Sequence, residues 1–512
     1  MPDAYPRDPG AFPSKLAHIT FLCSPNSDRL MLPTENYEVI IGLEVHAQLL
    51  TESKMYSNDR NEYGAPPNTQ VSVITLGMPG TLPRLNKKAI EFAVKMGHAC
   101  HCTIRRENAF ARKNYFYPDL PKGYQITQHT TPICHDGYLQ IKTAEGEKRI
   151  GITRIHLEED AGKSLHDQDP YYTLIDLNRA GTPLIEIVSE PDLRSADEAY
   201  SYLTEIRKIV RFLGICDGNM EEGSLRCDAN VSVRLKGSTT FGTKVEVKNM
   251  NSIRNVKRAI EYEVTRQIEA VEKGEKIEQD TRNFDAMSGT TSSMRSKELA
   301  NDYRYFPEPD LPPVILSDAF VEDIKMHMPL LPEALKQKLM AEEGLTEYDA
   351  ALISDDKETA RFFEQVKTHA TSTKSVVNWI IGPVRNYLHE NGIDQKDFPL
   401  PPARLAALTN LVEEDKVSFS VASQMIFPEL LLHPEEEPAA IAARLNLLQE
   451  NNLGLLEGYV KESLAKYPEK VLEYKNGKTG LIGLFAGEVK KLSGGRADMK
   501  LTNELLRKHL DA

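Results

Sequence analysis

The chain has 512 residues, 40% of them hydrophobic and 27% charged, with a single tryptophan, Trp379. Its length predicts two or three domains, each with its own core, and no apolar run approaches the roughly 18 residues a membrane-spanning helix needs. The net charge of −13 excludes a generally basic surface, so any nucleic acid must be met by local basic patches.

Residues 1–35 carry six prolines and little periodicity, which reads as a disordered N-terminal extension, with Met31 as an alternative start. Ile19 to Cys23 is too short for a signal-peptide core. From Tyr37 onward strand-like alternation dominates. Tyr37, Val39, Ile41, Leu43, Val45 and Ala47 share one face and Glu44, His46 and Gln48 the other. Residues 153–160, 224–235 and 244–248 repeat the pattern, as expected of antiparallel sheet with one face buried and one wet.

Helices interleave at 87–102, 195–213 and 252–273. Ser195 followed by Glu198 is a capping-box signature, and Gly274 suits a helix end. From about Met326 the alternation gives way to helix after helix: 331–343, 357–370, 373–390, 402–413 and 438–450, then a tail group at 460–465, 468–474, 481–491 and 501–510. The reading is α+β, with an α+β domain at 36–325, a helical domain at 326–434 and a helical tail at 435–512. From Ala465 to Ala512 there are 10 Lys and Arg against 6 Asp and Glu, a basic tail in an acidic chain.

The six cysteines (Cys23, Cys100, Cys102, Cys134, Cys216, Cys227) include no C-x-x-C pair, which points to a reducing, cytoplasmic setting with thiols in the core. His98, Cys100, His101 and Cys102 match no common zinc spacing. Gly162-Lys163-Ser164 and Gly477-Lys478-Thr479 end like a P-loop, but positions 157 and 472, where the leading glycine belongs, are leucine. If ATP is used, its site is not of a standard nucleotide fold.

The stronger signal is carboxylates and imidazole on polar strand faces. Glu44 and His46 point the same way; Arg154, His156 and Glu158 lie opposite Ile155 and Leu157; Glu186 interrupts an apolar strand. An acid among aliphatics is costly unless paired or bound to a cation. Two readings stand: a divalent-cation site with mixed O and N ligands, or Glu186 paired with Arg154 or Arg179 and Glu44 facing water. Arg226 to Arg234 with Lys244 and Lys248 can clamp phosphate or form a solvated sheet face. Arg112-Lys113-Asn114-Tyr115-Phe116-Tyr117 and Lys122-Gly123-Tyr124 interleave cations with aromatics, which suits base stacking or, by slight preference, an interface or channel lining. The 115–121 segment is echoed at 303–312 by a second aromatic loop rich in Pro and acid.

Together these blocks resemble the B-subunit family of the glutamyl/aspartyl-tRNA amidotransferases. The resemblance rests on Ile41 to His46, Arg112 to Asp119, His156 to Ser164, Asp176 to Asp192, Glu221 to Val231, Lys248 to Ser252 and Asp302 to Asp310, in family order. It implies a central cradle domain, a helical domain and a tRNA-binding tail, in a heterotrimer with an amidase-like A subunit and a small C subunit. The implied reaction uses ATP and Mg²⁺ (or Mn²⁺) to phosphorylate the side-chain carboxylate of misacylated Glu-tRNA(Gln) or Asp-tRNA(Asn); ammonia from the A subunit then forms the amide. It implies His46, Glu158 and Glu186 as metal ligands, Glu44 beside them as a fourth catalytic residue, and Arg154, Arg226 and Lys248 as weaker phosphate contacts. One residue of register would exchange Glu158 for Glu159. The alternatives are a non-catalytic tRNA-binding adaptor of the same complex and a stand-alone carboxylate–amine ligase.

Overall fold

The computed structural model describes residues 34–294, 303–448, 453–495 and 497–511; the expectation for 1–35 falls almost wholly outside them. The first half is built on a 12-stranded sheet. Its main path runs Thr290–Ser293, Thr281–Asp285, Val245–Lys248, Leu225–Leu235, Tyr37–Gln48, Pro183–Ser189, Gly146–Glu159, Tyr124–Thr127, Ala111–Asn114 and Arg304–Pro307. Cys134–Thr143 joins alongside Gly146–Glu159 and carries the short Thr103–Ile104 strand. The sheet is antiparallel except where Val245–Lys248 meets Thr281–Asp285 in parallel. That pair is reached through the helix Ile253–Glu272, the crossover a parallel connection requires.

Period-two alternation gives the sheet two different faces. On one, Ile41, Leu43, Val45 and Ala47 meet Leu225, Cys227, Ala229, Val231, Ile185 and Ile187, all essentially without exposure. The helices Lys87–Ala99, Ala196–Leu213 and Ile253–Glu272 cover this face. Ser195 caps the second of them by accepting from the Glu198 N–H at 3.1 Å, while Glu198 accepts the N–H of Arg194. The reciprocal cap therefore reaches one residue further back than the simplest capping box. The opposite face of the sheet is polar.

The helical half packs around two further clusters. One gathers Leu339 to Ala442 about Trp379, with Leu445 and Leu447 against it; the other joins Leu456, Val460, Phe485, Val489, Leu506 and Leu510. The expected division at 434/435 falls within the first, because Ile441 and Ala442 on Pro438–Arg444 belong to that core. The expected helix 373–390 is interrupted by a π-helical turn, Ile380–Val384, around Pro383. A residue with no N–H and a clashing ring forces the ladder to skip there. No described helix is long and apolar enough to cross a membrane.

Candidate active site

Register assembles the polar face row by row. Arg226, His46, Glu186 and His156 are successive cross-strand partners on four adjacent strands. One row along lie Gln48, Leu184, Glu158 and Thr127; one row back lie Asp228, Glu44, Val188 and Arg154. Residues two apart on a strand share a face, so four separate sequence blocks converge without any loop contributing.

The middle of the cluster is tight. Nε2 of His46 stands 3.2 Å from Oε2 of Glu186. Nε2 of His156 lies 3.6 Å from the same oxygen and 3.8 Å from Oε2 of Glu158. One ligand atom from each of His46, Glu158 and Glu186 falls within 4.8 Å of the others. The second group of this kind among the described residues is His433, Glu435 and Glu436, of which the first two are exposed. Glu158 and Glu186 are buried, and Nδ1 of His156 is a buried nitrogen with no hydrogen-bond partner. Two carboxylate donors with an imidazole suit a hard or borderline divalent cation.

Electrostatics follow from these contacts. Burial acts to raise the Glu186 carboxyl, but the imidazoles of His156 and His46, with Lys113 beyond, hold it well below the usual range. Burial acts to lower His46, and its hydrogen bond to Glu186 reverses this and raises it. Burial likewise acts to raise Glu158, but His156 and Lys113 outweigh it and leave the carboxyl lowered. Glu44 goes the other way: burial, then the charges of Glu186 and Glu246, raise it, opposed by the Asn230 amide donating to it at 2.9 Å. Glu44 is thus the carboxyl on this face most disposed to carry a proton.

Glu158 and Glu159 part company. Glu158 accepts from the Gln125 amide at 2.6 Å, and Gln125 in turn accepts from the Tyr115 hydroxyl at 3.2 Å. Glu159 turns to the other side of the strand, pairs with Lys122 and accepts the Ile126 N–H. There it lines a cavity of about 80 Å³ together with Lys54, Tyr56, Thr75, Met78 and Gly181. Gly181, with φ of +83°, lies in the turn that leads into the Glu186 strand Pro183–Ser189, a conformation that suits glycine.

The remaining sequence-derived candidates have other attachments. Glu186 pairs with histidines rather than with Arg154 or Arg179; Arg179 donates to the carbonyls of Ala161 and Gly162. Arg226 donates to Asp160 at 2.8 Å, and Lys248 lies 2.5 Å from Asp228 and 2.9 Å from Glu246. Arg154 faces the site with an Nε that is buried and without a partner. Among the cysteines, Cys100 and Cys134 are core residues and burial pushes Cys102 up to about 12. His101 stacks on Tyr138 at 4.4 Å.

Sequence reasoning put His156 on the polar face without giving it a role, and did not bring Lys113 to the site. Lys113 pairs across the sheet with Gln125 and Tyr305, one row beyond Glu158. Alternation within Arg112-Lys113-Asn114-Tyr115 held the signal, because Arg112 turns to the other face and is gripped by Glu308 through two hydrogen bonds at 2.8 and 2.9 Å. The echoed aromatic loops meet: Ala111–Asn114 pairs with Arg304–Pro307, and the Tyr115 and Tyr303 rings lie 5.6 Å apart.

Comparison with known proteins agrees with this architecture. Residues 39–322 match the GatB/GatE catalytic domain, and residues 361–510 match the GatB domain. The chain is 49% identical to the B subunit of the aspartyl/glutamyl-tRNA(Asn/Gln) amidotransferase of Synechococcus sp. (strain JA-3-3Ab), over 93% of this chain and 98% of that one. It is 49% identical to the corresponding B subunit of Geobacter sulfurreducens, over 93% and 99%, and 50% identical to that of Geotalea uraniireducens over the same shares. With its polar sheet face inside the first matched region and its helical units spanning the second, the chain belongs to the GatB family of amidotransferase B subunits.

Proposed function

We propose that this chain is the carboxylate-activating subunit of a cytoplasmic tRNA amidotransferase, working with an amidase-like A subunit and a small C subunit. Its relatives' names specify the substrates: Glu on tRNA(Gln) or Asp on tRNA(Asn). The observation that carries the reading is the convergence of His46, Glu158 and Glu186 on one buried, polar sheet face.

A carboxylate is a poor electrophile, since its charge repels nucleophiles and oxide is not a viable leaving group. ATP solves both problems. A side-chain carboxylate oxygen attacks the γ-phosphorus, the bond to the bridging oxygen breaks, and ADP leaves. Ammonia then attacks the acyl carbon of the mixed anhydride, and phosphate leaves with the former carboxylate oxygen, after loss of a proton from nitrogen. His46, Glu158 and Glu186 would hold Mg²⁺ or Mn²⁺, which supplies charge neutralisation for phosphoryl transfer. Glu44, with its raised affinity for protons, would accept the proton from ammonia. Arg154, whose buried Nε has no partner, would donate to phosphate oxygens, whereas Arg226 and Lys248 chiefly hold Asp160 and Asp228 in place. The basic tail meets the tRNA by shape and backbone.

The reading is tested with ¹⁸O in the side-chain carboxylate of the misacylated tRNA and the chain assembled with its partners. One labelled oxygen should appear in inorganic phosphate for each amide formed. Unlabelled phosphate, with ATP hydrolysis persisting after His46→Ala and Glu158→Gln, would favour the adaptor reading.

A further inference from the structure

Negative charge accumulates where the transfer is proposed: two ligand carboxylates, a substrate carboxylate and a polyphosphate. A divalent ion bound by Glu158 and Glu186 is already neutralised by its own ligands. Two anions that must react still need cations to bring them together. Two of the three phosphate candidates from the sequence, Arg226 and Lys248, are engaged, and so are other cations of this domain. Arg226 is on Asp160, Lys248 on Asp228 and Glu246, Arg179 on backbone carbonyls and Lys122 on Glu159.

Lys113 is different. Among the described residues its ammonium has neither a carboxylate at ion-pair distance nor a hydrogen-bond acceptor. It is held by rings, with Nζ 4.8 Å from the centre of Tyr303 and 5.9 Å from that of Tyr115. Its strand places it on the Glu158 side of the cluster, and Arg154 lies on the opposite side, in the row of Glu44. The two cations bracket His46, Glu158 and Glu186. An aromatic collar attracts an ammonium while leaving its three N–H groups unspent, which keeps them available to an arriving anion. Its neighbour Arg112 cannot serve, because Glu308 and Asp310 hold it on the other side of the sheet.

We infer that Lys113 is a substrate-contacting residue whose ammonium binds the phosphoryl oxygens of the nucleotide, opposite Arg154, across the His46–Glu158–Glu186 cluster. This rests on the phosphoryl-transfer reading above and adds a residue to it. Lys113 is also a like charge to any divalent ion in the cluster, so its two effects have opposite signs: it weakens binding of the bare ion and strengthens binding of the ion with a triphosphate.

The full-length chain and its Lys113→Met and Lys113→Arg variants are titrated with Mn²⁺ alone, and with a non-hydrolysable ATP analogue at saturating Mn²⁺. Lys113→Met should bind Mn²⁺ alone as tightly as the native chain or several-fold more tightly, and the analogue about tenfold more weakly; Lys113→Arg should retain analogue binding. A parallel fall in both affinities, or an unchanged analogue affinity in Lys113→Met, overturns the inference. If the native chain binds neither Mn²⁺ nor the analogue, the phosphoryl-transfer reading fails and this inference with it. If it binds both and the Lys113→Met variant behaves like the native chain, only the role of Lys113 is lost.

Discussion

His46 and Glu186 are direct cross-strand neighbours, with the imidazole Nε2 3.2 Å from a carboxylate oxygen of a strand some 140 residues later in the chain. Both side chains stand on strands whose other faces lie in the core, so their separation is set by the sheet and not by loop conformation. Replacing Glu186 by Gln keeps the shape and removes the charge. Affinity for Mn²⁺ should drop by about 100-fold or more, with circular dichroism unchanged.

Glu158 and Glu159 should separate cleanly under mutation. Glu158→Gln removes a proposed ligand and should weaken Mn²⁺ binding with little loss of stability. Glu159→Gln breaks a pair with Lys122 in which both side chains are largely buried, at a cost of about 3 kcal/mol. Mn²⁺ titration and urea unfolding of the two variants check this; reversed phenotypes would mean that the strand Gly146–Glu159 is read one residue out of register.

Lys54 provides a pH test. Its ammonium is fully buried, donates to the Gln70 carbonyl at 2.6 Å and is lowered to about 8, chiefly by burial. Below pH 8 folded and unfolded chains both hold this proton; between about 8 and the ordinary lysine value of 10.5 the unfolded chain alone keeps it. Stability from this residue therefore rises with pH across that window, by up to about 3 kcal/mol. Urea midpoints of the native chain should gain on those of Lys54→Met from pH 8 to pH 10. A constant difference would refute the assignment.

Arg112 ties the strand Ala111–Asn114 to Glu308 on the sheet face opposite the site. Its guanidinium makes a two-pronged contact with Glu308, whose side chain is fully buried, and lies 4.2 Å from the Tyr124 ring centre. Lysine cannot reproduce the fork. Arg112→Lys should cost about 2 kcal/mol and speed hydrogen exchange of amides in Arg304–Pro307.

Much of this was legible in the sequence because one face of each strand is buried. Alternation in Tyr37–Gln48 and Gly146–Glu159 fixes which side Glu44, His46, Arg154 and Glu158 take. What alternation does not contain is which strands become neighbours. Arg226 finds Asp160, and Lys248 finds Asp228 and Glu246, only once the strands are ordered, so two candidate phosphate ligands proved to be paired. Lys113 escapes sequence reasoning for the same reason: its strand of four residues reaches the site through Tyr124–Thr127. The helical half was legible in its helix starts, such as Pro402, and less so at Pro383, where tertiary packing around the buried Trp379 holds a helix together across a proline.

The most direct test of the cation site is pulsed electron paramagnetic resonance of the full chain with one equivalent of Mn²⁺. A ¹⁴N coupling from a directly bound imidazole should be present in the native chain and lost in His46→Ala. No nitrogen coupling in the native chain, or its persistence in the variant, would contradict the assignment of His46 as a ligand and the convergence on which the catalytic account is built.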